Sequence, residues 1–202
     1  MTKNIRAYKY FFLIAAAFIL VSGTIPVKNI YTISKGYTVS IHGTSNLHDW
    51  DETVEAVNGE STVNWNGDGS FDLEAIHLKM SVHSIKSDMG VIMNNNTYKA
   101  LKADANPEII FSLRDAIRSI QVQPNENAFP AKGDLTIAGV TRPVQLQVKV
   151  LAQGREKLLF EGLQTIKMTD YGVDPPTALF GTLKTGNEIS IRFKTSFTIK
   201  NN

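Results

Sequence analysis

His48, Asp49, Asp51 and Glu52 sit within five residues of one another, and all are of the types that ligate metals or move protons. Strand alternation puts His48 and Glu52 on one face with Trp50 between them, and the two aspartates on the other. Such a split divides the donors and favours a strand that starts at the rim of a β structure with solvated charges. His42 and His48, like His77 and His83, are six apart, or about 20 Å along a strand at roughly 3.3 Å per residue. Neither pair can chelate one ion without a fold-back. The chain has no cysteine, which removes thiolate metal sites and disulfides together. It carries no Gly-x-Ser-x-Gly elbow and no His-Glu-x-x-His. Asn66-Gly67-Asp68-Gly69 resembles a calcium loop faintly and reads better as a hairpin turn. The expectation is a protein with no catalytic residues, no metal and no cofactor.

The N-terminus has its own composition. Lys3, Arg6 and Lys9 precede an uncharged apolar run from Phe11 to Val21, followed by Ser22-Gly23-Thr24. That is the layout of a secretory signal peptide over residues 1–23, leaving 24–202 as one mature domain. An eleven-residue run is short for a spanning helix, which needs about twenty residues, so retention as an anchor is the lesser reading. Removing the leader takes away three positive charges and no negative ones, so the formal net charge falls from +2 to −1. A near-neutral mature chain lacks the basic footprint that nucleic acid requires. The expected location is periplasmic or secreted.

The rest of the chain alternates with period two. Tyr37, Val39 and Ile41 alternate with polar residues, as do Ile109, Phe111 and Leu113, and then Val144, Leu146, Val148 and Val150. Further strands are expected over 49–57, 60–65, 70–83, 132–138, 156–168 and 187–199, some joined at the turn pairs Asn58-Gly59 and Asp68-Gly69. Along 70–83 the apolar phase passes from Phe71 and Leu73 to Ile76, Leu78 and Met80, which predicts a bulge near Ala75. One short helix, about 89–103, is expected with Ser87 or Asp88 as its cap and Met93, Thr97, Ala100 and Leu101 on one face. It should lie over or beside a cavity opening. The fold class is all-β: either a sandwich or a closed antiparallel barrel of about eight strands, with strand length favouring the barrel.

Four blocks resemble the YceI family in order and spacing: Tyr37 to His48; Ser84-Ile85-Lys86-Ser87; Asn106-Pro107-Glu108-Ile109-Ile110-Phe111; and Gly133 through Val144. The last two are the specific ones. Thr169-Asp170-Tyr171-Gly172-Val173 also resembles a family segment, with Met168 where arginine is usual. The resemblance implies an extended lipocalin-like barrel with an elongated apolar cavity for polyisoprenoid chains or fatty-acid-like amphiphiles.

On that basis the cavity lining is expected to include Phe71, Leu73, Leu78, Met80, Ile109, Phe111, Leu113, Leu146, Val148 and Phe160. The expected partner is an apolar lipid, and transient membrane contact and a homodimer are both compatible with the sequence. Trp50 and Trp65 are expected to bury large apolar area in the barrel wall or rim; the competing reading is a carbohydrate-binding or surface-adhesion β-sandwich that uses them as exposed stacking platforms.

Overall fold

The computed structural model describes residues 28–122 and 128–200; the expected leader and its cleavage point lie outside the described residues. In chain order the elements are β1 (Lys28–Ile33), β2 (Thr38–Ser45), β3 (Trp50–Val54), β4 (Val57–Trp65), β5 (Phe71–Ser81), β6 (Ile85–Ser87), α1 (Val91–Ala100), β7 (Glu108–Leu113), β8 (Ile117–Ile120), β9 (Phe129–Ile137), β10 (Val140–Gln153), β11 (Lys157–Lys167), β12 (Thr177–Ala178) and β13 (Leu183–Ile199). Every pairing is antiparallel.

The ring β1-β4-β5-β7-β9-β10-β11-β13 closes when Tyr31–Ile33 of β1 pairs with Phe197–Ile199 of β13. This is a closed eight-stranded barrel, and closure leaves no free edge around that ring. The 17-residue β13 is long enough to serve two partners. Its last residues, Phe197–Ile199, hold β1, and the stretch from Thr185 to Lys194 holds β2, which extends the wall through β3 and β6.

The predicted bulge is present in β5. Thr62 pairs with Ala75 and Val63 with Leu73, so Glu74 is the extra residue, and the inward set passes from Phe71 and Leu73 to Ile76, Leu78 and Met80. Asn64 donates to the Glu74 carboxylate (2.8 Å), and Arg118 bonds both Glu74 and Asp72, which holds the bulged backbone from outside. The β9–β10 turn is tight: Ile137 pairs with Val140, and both intervening residues take positive φ, Ala138 at 49° and Gly139 at 81°.

Two expectations about local structure are corrected. Asn58-Gly59 is no turn; it lies inside β4 opposite Lys79 and Leu78. The glycine is there because a Cβ would come within 2.5 Å of the His77 carbonyl and the Leu78 side chain, so close strand approach, not chain reversal, demands it. Helix α1 is capped by neither Ser87 nor Asp88, since Gly90 at φ 85° is the N-cap residue and offers no side chain. The Ser87 hydroxyl accepts instead from the Met89 N–H (3.2 Å). Strands β1, β8 and β12 fall where no strand is expected from the sequence.

The interior divides into two clusters. At one end Tyr31, Phe71, Leu158, Phe160 and Phe197 are almost fully buried and plug the barrel. Trp65 donates to the Tyr31 hydroxyl (2.8 Å), which in turn donates to the Arg155 carbonyl. Toward the other end lie Val39, Val54, Ile85, Phe111, Leu135, Met168 and Tyr171, together with α1.

Candidate functional site: an apolar barrel cavity

Between the aromatic plug and α1 the barrel is hollow. The void measures about 190 Å³, and residues from nearly every strand border it. Along β13 alone the border takes in Thr185 and then alternate residues from Ile189 to Phe197, and that last stretch spans eight steps or roughly 26 Å of strand. One wall is closed by α1, whose Met93, Thr97, Ala100 and Leu101 all border the void. These are the four residues that the spacing placed on one helical face. The Tyr98 hydroxyl anchors the helix: it lies 2.9 Å from the carbonyls of both His83 and Ile85 and accepts from Lys86 (2.8 Å). Asn94, buried at 9% exposure, accepts from the Ser87 N–H through its side-chain oxygen (2.8 Å).

Leu73, Leu78, Met80, Ile109, Phe111, Leu113, Leu146, Val148 and Phe160 all border the void. Phe71 does not. It precedes the bulge, at the start of β5, where its ring packs 5.2 Å from that of Trp65 within the plug. The sequence reading missed the wall formed by Met168, Tyr171 and Val173. A single 3-10 turn over Met168–Tyr171 ends at Gly172 in the left-handed region and folds these three side chains inward. Their signal was present in the Tyr-Gly-Val spacing.

Glu52 is the larger omission. Its place among charged neighbours marks it as a solvated rim charge, yet β3 points Trp50, Glu52 and Val54 inward, at 9%, 3% and 3% exposure, and for Trp50 this is the burial in the wall that its size favours. Asp51 behaves as expected for a solvated rim charge, exposed and 3.0 Å from His42. Glu52 does not, because its carboxyl is enclosed between β3 and α1 and accepts a 2.5 Å hydrogen bond from the Thr97 hydroxyl. Burial pushes this carboxyl above the ordinary carboxylate range, with the Thr97 bond pulling more weakly the other way.

A carboxyl with a higher pKa folded than unfolded stabilises the fold at acid pH and loses that contribution as pH rises through the folded value. Glu52→Gln should therefore raise the melting temperature near pH 8 and leave it unchanged near pH 4. Thermal melts across pH check this; a variant equally destabilised at both pH values would contradict it.

Among the described residues no group of three His, Asp or Glu side chains comes together to hold a metal. Trp50 is no stacking platform, since it is buried and donates to the Thr44 carbonyl (3.1 Å), while Trp65 is half-buried with the Arg155 guanidinium 5.6 Å from its ring. The sugar-binding sandwich thereby loses its architecture and one of its two tryptophans.

A closed antiparallel barrel with a plugged end, a hollow apolar middle and a helix across one wall defines a lipocalin-like cavity protein. The sequence model of the YceI-like domain matches residues 25–197, and the chain belongs to that family. A UPF0312 protein of Pseudomonas paraeruginosa is 28% identical over 119 residues, 52% of this chain. The match spans only 59% of that relative's length. Among solved structures, a polyisoprenoid binding domain from Saccharophagus degradans, implicated in plant cell wall breakdown, superposes with a TM-score of 0.64 at 11% identity, covering 84% of this chain and 98% of that one. BcnA of Burkholderia cenocepacia gives 0.58 at 18%, covering 79% and 95%. The YCEI protein of Campylobacter jejuni gives 0.56 at 15%, covering 75% and 85%. At these identities the likeness is one of fold.

Proposed function

We propose that this protein is an exported carrier or store that holds one apolar chain, an isoprenoid or a fatty-acid-like amphiphile, inside its barrel and catalyses nothing. The observation that carries the reading is the cavity itself, a hollow of which nearly all bordering side chains are hydrocarbon or aromatic. A chain moved from water into such a space gains about 0.8 kcal/mol per buried methylene, so length supplies affinity without many polar contacts. The Saccharophagus degradans neighbour, described as a polyisoprenoid binding domain, supports that class of ligand. The basic leader with its apolar run supports export to the periplasm or beyond.

The direct test is mass spectrometry of an organic extract of the purified native protein, which should yield a stoichiometric long-chain lipid. Titration with a fluorescent neutral isoprenoid adds a second check. Salt screens exposed charge pairs and leaves dry apolar contact untouched, so affinity should change less than about twofold between low and moderate salt. An empty extract together with failure to take up the probe would sink the reading. Affinity that collapses with salt would point instead to a charged headgroup held at the surface.

A further inference from the structure

We propose that Glu52 reads the polar end of the bound chain and selects a neutral, hydroxyl-bearing end over an anionic one. This rests on the cavity being the chain-binding site. Of the described residues bordering the void, Glu52 is the one with an ordinarily charged side chain; no Lys, Arg, His or Asp joins it. The remaining polar side chains there are Thr97, Gln164, Tyr171, Thr185 and Thr195. Gln164 donates to the Thr165 carbonyl and Thr195 to the Phe160 carbonyl, so both are directed at backbone.

Glu52 shares the inner face of β3 with Trp50 and Val54, and its Oε1 takes the Thr97 hydroxyl of α1. A carboxyl has acceptor capacity for several donors, and Thr97 uses a part of it. The remaining capacity lies against the cavity, at the level of α1 and away from the aromatic plug. A chain lying with its tail toward the plug brings its head to this carboxyl.

The chemistry then chooses among heads. A hydroxyl serves either protonation state, donating to the carboxylate or accepting from the carboxylic acid. A phosphate or carboxylate head meets no cation among the bordering residues and must share the pocket with an acidic group; burying a second unpaired negative charge there is strongly unfavourable. A bare hydrocarbon end leaves the buried carboxyl without the extra bond.

The test is competitive displacement of a fluorescent isoprenoid from the full chain by three probes of equal length: a twenty-carbon isoprenoid alcohol, its phosphate ester and the parent hydrocarbon. The wild-type protein is expected to prefer the alcohol by about tenfold over the hydrocarbon, the upper end of what one net hydrogen bond supplies whether or not the carboxyl is charged, and by more over the phosphate. Glu52→Leu should bring the alcohol-to-hydrocarbon ratio down to about one. Glu52→Gln keeps a hydrogen-bonding group without the charge, so it should retain that ratio while narrowing the gap between alcohol and phosphate. A wild-type ratio near one, or a ratio that Glu52→Leu leaves unchanged, overturns the proposal while the apolar cavity stands. Failure of all three probes, the hydrocarbon included, would bring down the chain-binding reading and this proposal with it.

Discussion

Ala131→Phe should weaken binding of a long isoprenoid more than tenfold while leaving a chain of half the length bound as before. Ala131 is 5% exposed on β9, borders the void, and belongs to the cluster at the plugged end. Its methyl lies opposite Leu146 of β10, two residues before Gly133, which pairs with Leu113 at the end of β7, so this stretch of wall is built from small residues. A benzyl group there occupies the deep part of the hollow. If it displaces only two methylenes of the ligand, the loss is about 1.6 kcal/mol at 0.8 kcal/mol each, slightly more than a factor of ten. Because the ring enters existing space, the stability cost should stay at or below about 1–2 kcal/mol, the lower part of the range for overpacked cores. Titration with two probe lengths checks it. Equal affinity of the variant for both lengths, at the wild-type level, would show that the ligand never reaches the plug.

The second large effect is on the fold. Gly43 of β2 pairs directly with Trp50 of β3, and the indole lies across the glycine. A Cβ at position 43 would fall 2.1–2.7 Å from three atoms of that ring. The ring cannot move inward without filling the cavity, nor outward without losing its bond to the Thr44 carbonyl. Gly43→Ala should therefore cost about 3 kcal/mol, the upper end of ordinary overpacking, and lower the melting temperature by about 6–12 °C in a domain of this size. The clash needs the indole, so the same change in a Trp50→Leu background should be nearly neutral. Additive losses in the double variant would mean that the glycine serves something other than ring contact.

Much of this architecture was legible from residue order because it is set by local rules. Alternation assigned Leu146, Val148, Ile109 and Phe111 to one face of their strands, and that face is the inner one. The change of phase between Leu73 and Ile76 placed the bulge within one residue of where it stands. Helical spacing of Met93, Thr97, Ala100 and Leu101 picked the side of α1 that meets the cavity. The blocks around Asn106-Pro107 and Gly133–Val144 carried the family likeness that the match over residues 25–197 bears out.

What order alone could not settle is depth and closure. Alternation tells whether a side chain points to one face of a strand or the other, but not how far that strand sits from the barrel's ends, so Phe71 shares the inward phase of Leu73 and still belongs to the plug. Glu52 and Asp51 are adjacent acidic residues, and only the packing of α1 against β3, 45 residues apart at the Thr97–Glu52 contact, buries one and leaves the other in water. Asn58-Gly59 has the composition of a turn, and only the approach of β5 shows that the glycine makes room for a neighbour. The ring itself depends on Tyr31–Ile33 meeting Phe197–Ile199, two segments that no local pattern connects. Local periodicity therefore determined which residues could line a cavity, while the long-range pairing of β1 with β13 and the docking of α1 decided where the hollow lies and which carboxyl faces it.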